Sequence, residues 1–167
     1  AAVAWHRCKP DGDTLIVFTS DNGPTDEYGS DTRFFQSAGP FDGMKRDCFE
    51  GGMREPTFVR WPGHVKPGAA HLPCGFWDWM PTFAELGGAA TPSATDGVSL
   101  LPTLIPSDAR PQQASTVYSE YTGGRSSEPD FKEFAARKGG LKAVREQQQM
   151  LRIGDYVAIR TAVKTAD

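Results

Sequence analysis

Residues 15–19, Leu15-Ile16-Val17-Phe18-Thr19, form an unbroken apolar and β-branched run, the pattern of a strand buried on both faces of a mainly parallel sheet. Thr57-Phe58-Val59-Arg60-Trp61, closed by Pro62-Gly63, predicts a second strand. The irregular stretch from Pro24 to Pro56 joins the two, and a connection of that length in a compact domain is usually functional. Helical spacing follows: Asp78 is placed to cap a helix whose Trp79, Met80, Phe83 and Leu86 form a core stripe, with Pro81 in the first turn and Gly87 ending it. Burying each of those side chains contributes roughly 1.5–3 kcal/mol, so packing is the first reading of Trp79 and Phe83. Asp96-Gly97 predicts a turn before Leu100-Leu101, and Thr116-Val117-Tyr118-Ser119-Glu120 a short strand. Asp130 and Glu133 form a capping box for a helix carrying Phe131, Phe134 and Ala135 that Gly139-Gly140 breaks. Last, alternation in Met150-Leu151-Arg152-Ile153 and Tyr156-Val157-Ala158-Ile159-Arg160 about Gly154-Asp155 predicts a hairpin.

The chemistry gathers where the first strand ends. Ligands of open α/β sheets sit beyond the carboxyl ends of strands, and Ser20-Asp21-Asn22-Gly23 stands there. A carboxylate beside a neutral amide offers two hard oxygen donors, and Gly23 with Pro24 permits the bend that turns both toward one cation. One loop later come Gly43-Met44-Lys45 and Glu50-Gly51-Gly52-Met53-Arg54-Glu55-Pro56. Two glycines beside an acid mark close backbone approach more often than a catalytic acid on a flexible loop. Arg54 reads as an ion-pair partner that fixes the loop, and Arg46 as a solvated loop residue. Phe34, Phe35 and Phe41, which lead to Lys45, suit either a pocket wall or local packing.

Composition narrows the class. With 167 residues, 38% hydrophobic and 23% charged, the chain holds one sizeable core and has the balance of a globular protein. Disorder and a membrane span are not expected. A formal net charge of -3 provides no footprint for nucleic acid, and the basic residues between Lys132 and Arg145, interrupted by Glu133, suit a solvated helix face. His6, His64 and His71 lack metal-ligand spacing, and Cys8, Cys48 and Cys74 form no disulfide framework. Residues 1–5 resemble the tail of a helix rather than a start or a signal peptide, so the chain is expected to be a piece of a longer protein.

Thr19-Ser20-Asp21-Asn22-Gly23, the spacing from Lys45 to Glu50-Gly51-Gly52-Met53-Arg54-Glu55-Pro56, and Arg60-Trp61-Pro62-Gly63 together resemble the type I sulfatases of the alkaline phosphatase-like superfamily. Asp78-Trp79-Met80-Pro81-Thr82, Asp96-Gly97-Val98-Ser99-Leu100-Leu101-Pro102 and Leu151-Arg152-Ile153-Gly154-Asp155-Tyr156 resemble later landmarks of the same family. The resemblance implies an α/β fold, part of a mixed sheet flanked by helices. It places residues 1–115 in the carboxyl half of the catalytic domain and 116–167 in the passage to a smaller C-terminal antiparallel sheet.

By that resemblance Asp21 and Asn22 are calcium ligands, Lys45 is the catalytic and substrate-binding lysine that contacts the sulfate, and Ca²⁺ is the cofactor. The implied substrate is a sulfated small molecule or glycan, and the implied location is periplasmic, secreted or lysosomal. The family's nucleophile, a formylglycine made within a C-x-P-x-R or S-x-P-x-R motif, is expected upstream. Cys8-Lys9-Pro10-Asp11-Gly12 has glycine where the arginine belongs. Calcium takes about 6–8 oxygen ligands and two match here, so these residues alone are expected to bind metal poorly and to be inactive. The alternatives are a phosphonate or phosphate ester hydrolase of the same superfamily and a non-catalytic remnant.

Overall fold

A computed structural model of the chain describes residues 12–121 and 148–160. The helix expected around Phe131 and Phe134, the basic segment 132–145, residues 1–5, His6 and Cys8 lie outside the described residues. The described residues divide into two compact units. One takes 12–19 and Thr57–Val117, and the other takes Ser20–Pro56, 118–121 and 148–160. Among the described residues short helices and two small sheets alternate, an α/β architecture.

In the first unit, β1 (Ile16–Phe18) pairs with β2 (Phe58–Arg60) in the register Ile16↔Arg60, Val17↔Val59 and Phe18↔Phe58. The pairing is antiparallel, which corrects the expectation of a parallel neighbour, and Phe18 and Phe58 are 67% and 64% exposed rather than buried. The apolar run specified a strand, but strand direction depends on where the connection returns. Here the excursion through Ser20–Pro56 brings the chain back in the opposite sense. The two phenylalanines lie opposite one another with ring centroids 6.3 Å apart, and their apolar contact sets the register.

The predicted helix is present as Trp79–Leu86, following a 3₁₀ turn at Phe76–Asp78. Its apolar stripe is not the core: Met80 and Phe83 are 60% and 49% exposed, while Pro81 and Thr82 are buried. Nor does the Asp78 side chain cap it. Asp78, fully buried, accepts hydrogen bonds from the Gly75 amide (2.7 Å), the Val98 amide (2.8 Å) and the Ser115 hydroxyl (3.1 Å). Thr82 donates to the Asp78 carbonyl (2.6 Å) and accepts from the Leu100 amide (2.9 Å). A buried polar network is stable when its members are satisfied, and this one ties the helix start to Leu100 and Leu101, the buried apolar pair beside it.

β3 (Thr116–Tyr121) carries the chain from the first unit into the second. There a three-stranded sheet has the order β3-β4-β5, with β4 spanning Gln148–Ile153 and β5 spanning Tyr156–Arg160. β4 and β5 form the expected hairpin, closed by a two-residue turn between Ile153 and Tyr156 with Gly154 at φ 57°, the left-handed conformation such a turn requires. Met44, Cys48, Gln148 and Met150 are buried in this unit. The Cys48 amide donates to Oε1 of Gln148 at 2.9 Å.

Candidate functional site

Asp21, Asn22 and Lys45 all fall in the second unit, and backbone contacts bring their segments together. The Gly23 amide donates to the Gly52 carbonyl at 3.0 Å, and the Lys45 amide donates to the Pro24 carbonyl at 2.9 Å. Close approach is possible only because the glycines lack side chains. A Cβ on Gly23 would collide with the Gly51 carbonyl oxygen, and one on Gly52 with the carbonyl oxygens of Met44 and Asp47. Gly51 and Gly52 are buried within the one-turn helix α1 (Glu50–Met53). They therefore act as spacers for backbone packing, the reading favoured from the sequence.

Around this junction Arg54 forms the ion pair expected of it, and a second arginine far along the chain joins the same carboxylate. Glu50 binds Arg54 within the turn and, through Oε1, Arg152 of β4 at 2.9 Å. Burial pushes the Glu50 carboxyl up, but hydrogen bonds from Arg54 and Arg152 outweigh it and hold the group below its usual range. The Arg54 guanidinium also lies over the Phe41 ring, 4.4 Å from its centroid, a cation–π contact that places Phe41 in local packing. Phe34 and Phe35, exposed, meet edge to face at 4.9 Å.

Asp21 stands exposed at the end of the segment after β1. Asn22 donates from Nδ2 to the Gly23 carbonyl at 3.0 Å, which fixes the amide's donor end and leaves Oδ1 as the oxygen it offers a ligand. Glu55, absent from the sequence-based site, lies near Asp21. Burial pushes its carboxyl up to about 7, and the negative charge of Asp21 adds to the shift. Its Oε1 is buried without a hydrogen-bond partner. Two carboxylates and an amide oxygen are hard donors suited to a divalent cation, and the orphaned Glu55 oxygen is a group a cation would relieve. The residues therefore fit calcium in kind, although among the described residues no three His, Cys, Asp or Glu side chains form a metal-binding group.

Lys45 extends its ammonium to Glu27, Nζ to Oε2 at 3.0 Å, and Arg46 binds the other oxygen of the same carboxylate, Nη2 to Oε1 at 2.7 Å. Arg46 is thus not a solvated loop residue, and its φ of 78° puts it in the left-handed region that few non-glycine residues adopt. No sequence pattern singled out Glu27, and Glu55 stood in the Glu50–Pro56 landmark without a role of its own. The structure sets Glu27 against Lys45 and Glu55 near Asp21.

The family model described as Sulfatase matches residues 7–89. Arylsulfatase A of Bos taurus is 39% identical over 139 residues, covering 79% of this chain and 25% of the relative. N-acetylgalactosamine-6-sulfatase of Homo sapiens is 43% identical over 99 residues, 55% of this chain and 18% of the relative. Steryl-sulfatase of Mus musculus is 41% identical over 97 residues, 55% and 16% respectively. The chain spans about a quarter of the length of the arylsulfatase A relatives. A solved structure described under the metabolism of multiple glycosaminoglycans by Bacteroides thetaiotaomicron superposes with a TM-score of 0.59 at 21% identity, covering 95% of this chain and 29% of that one. That likeness establishes the shared fold.

Proposed function

This chain belongs to the sulfatase family, and from that premise we propose that the full-length protein hydrolyses sulfate esters at a calcium-assisted site to which Asp21, Asn22 and Lys45 contribute. The observation that carries the proposal is the pair of backbone hydrogen bonds, Gly23 to Gly52 and Lys45 to Pro24, that holds the lysine's loop against the Asp21-Asn22 segment. A sulfuryl group passing to a nucleophile leaves negative charge growing on the departing oxygen, and preorganised positive charge lowers that barrier. Calcium, when bound, supplies such charge. Lys45 adds a compact ammonium on a flexible stem that can reach one oxygen without blocking attack. Asp21 balances the cation's charge, and Asn22 adds a neutral oxygen. The family resemblance implies a formylglycine nucleophile, which Asp21, Asn22 and Lys45 would serve.

The relatives named above are sulfatases, which favours sulfate esters over phosphate or phosphonate esters. The test is turnover of an aryl sulfate by the full-length protein, measured beside the matching phosphate ester. We expect sulfate release that chelation abolishes and calcium restores. Preference for the phosphate ester, or turnover unaffected by chelation, would overturn the reading.

A further inference from the structure

We propose that Glu27 is a positioning residue for Lys45, an inner carboxylate that aims the ammonium toward an arriving sulfate; the proposal rests on the assignment of Lys45 as the sulfate-contacting lysine. Three observations support it. First, Glu27 is the deeper partner: its side chain is 12% exposed against 32% for Lys45, so the lysine is the member of the pair more open to an arriving anion. An ammonium has three donors, and with one directed inward to Glu27 Oε2, others are left to face outward.

Second, the carboxylate is held by structure on its own side. It sits in the 3₁₀ turn Glu27–Gly29, where the Glu27 amide donates to Thr25 Oγ1 at 3.2 Å. Beside it, Asp26 accepts from both the amide and the hydroxyl of Thr32, a buried residue. Lys45 is anchored at both ends, by its amide on Pro24 and its ammonium on Glu27. Third, Lys45 shares this carboxylate with Arg46, which binds its other oxygen, so the carboxylate is divided between two cations and holds the ammonium less firmly than a dedicated partner would. A partly exposed ion pair of this kind is weak, so Lys45 can turn toward an anion without unfolding the loop.

The test is a double-mutant cycle on the full-length protein. Glu27→Gln should lower kcat about tenfold or more by releasing the ammonium from its position. It also removes a negative charge, so inorganic sulfate, titrated calorimetrically, should bind up to about fivefold tighter. A structural lesion would lower kcat without tightening sulfate. In the Lys45→Ala background, Glu27→Gln should cost no further activity. Unchanged kcat in Glu27→Gln, or an equal loss in both backgrounds, would overturn the inference. Parental kcat in Lys45→Ala alone would instead remove Lys45 from the site, a separate failure. Should Glu27→Gln fail to fold, Glu27→Asp keeps the charge on a stem one methylene shorter. We expect it to lower kcat at parental sulfate affinity, and parental kcat would overturn the positioning role.

Discussion

The Gly23 amide reaches the Gly52 carbonyl at 3.0 Å, joining the acid-amide segment to the double-glycine turn across 28 intervening positions by direct backbone contact. No side chain larger than hydrogen fits at either residue. Gly23→Ala should therefore destabilise the full-length protein by about 1–3 kcal/mol through overpacking. It should also lower kcat by about 10² by displacing Asn22 and Lys45. Gly68→Ala, where an added Cβ meets nothing within 4 Å, is the control and should be silent in thermal unfolding and kinetics. Parental behaviour of Gly23→Ala would show that the two segments need not touch.

That junction marks how far the sequence is legible. The runs at residues 15–19 and 57–61, the helix from Trp79 and the hairpin about Gly154-Asp155 announce themselves through periodicity and turn chemistry, and the structure contains all four. Neither strand direction nor burial was legible, because a continuous apolar run specifies an extended segment and says nothing of where the chain returns or what covers its faces. Asp78 shows a second limit. Its position before a helix suggested a cap, yet its carboxylate serves Val98 and Ser115, 20 and 37 residues away. Glu27 and Glu55 show a third, since an acid in a loop becomes a site residue only through a neighbour distant in sequence.

Asp78 leads to a prediction about stability. Removing its carboxylate by Asp78→Ala leaves the donors on Gly75, Val98 and Ser115 without their acceptor, and each buried unsatisfied group costs about 1–3 kcal/mol. Chemical denaturation of the full-length protein should show a loss of about 3 kcal/mol or more. Asp78→Asn, which retains one acceptor oxygen, should lose less. An alanine variant as stable as the parent would mean that these donors find other partners.

Calcium affinity should separate Asp21 from Asn22. The carboxylate brings a formal charge and the amide only a dipole, so Asp21→Ala should weaken calcium more than Asn22→Ala in calorimetric titration of the full-length protein. Parental affinity in the Asp21 variant would exclude that side chain from the metal's surroundings.

The two acids flanking the double-glycine turn should respond to pH with opposite signs. Glu50 is held below its usual range, so the folded state favours its ionised form. Its stabilising contribution is present above about pH 4.5 and is lost as pH falls through the folded value. Glu55 is raised to about 7, so the folded state favours its protonated form, and its contribution is present below about pH 4.5 and lost as pH rises from there to about 7. The upper bound on the Glu55 effect is about 3 kcal/mol, reduced by solvent screening at a partly exposed group. In calcium-free buffer, Glu55→Gln should remove the decline in Tm across pH 4.5–7, whereas Glu50→Gln should leave that decline in place and flatten the acid side. Calcium adds an independent check, because a cation beside Asp21 cancels the charge that helps to raise Glu55, so saturating calcium should shrink the Glu55-dependent slope. If the slope is the same with and without calcium, the cation does not bind beside Asp21 and Glu55.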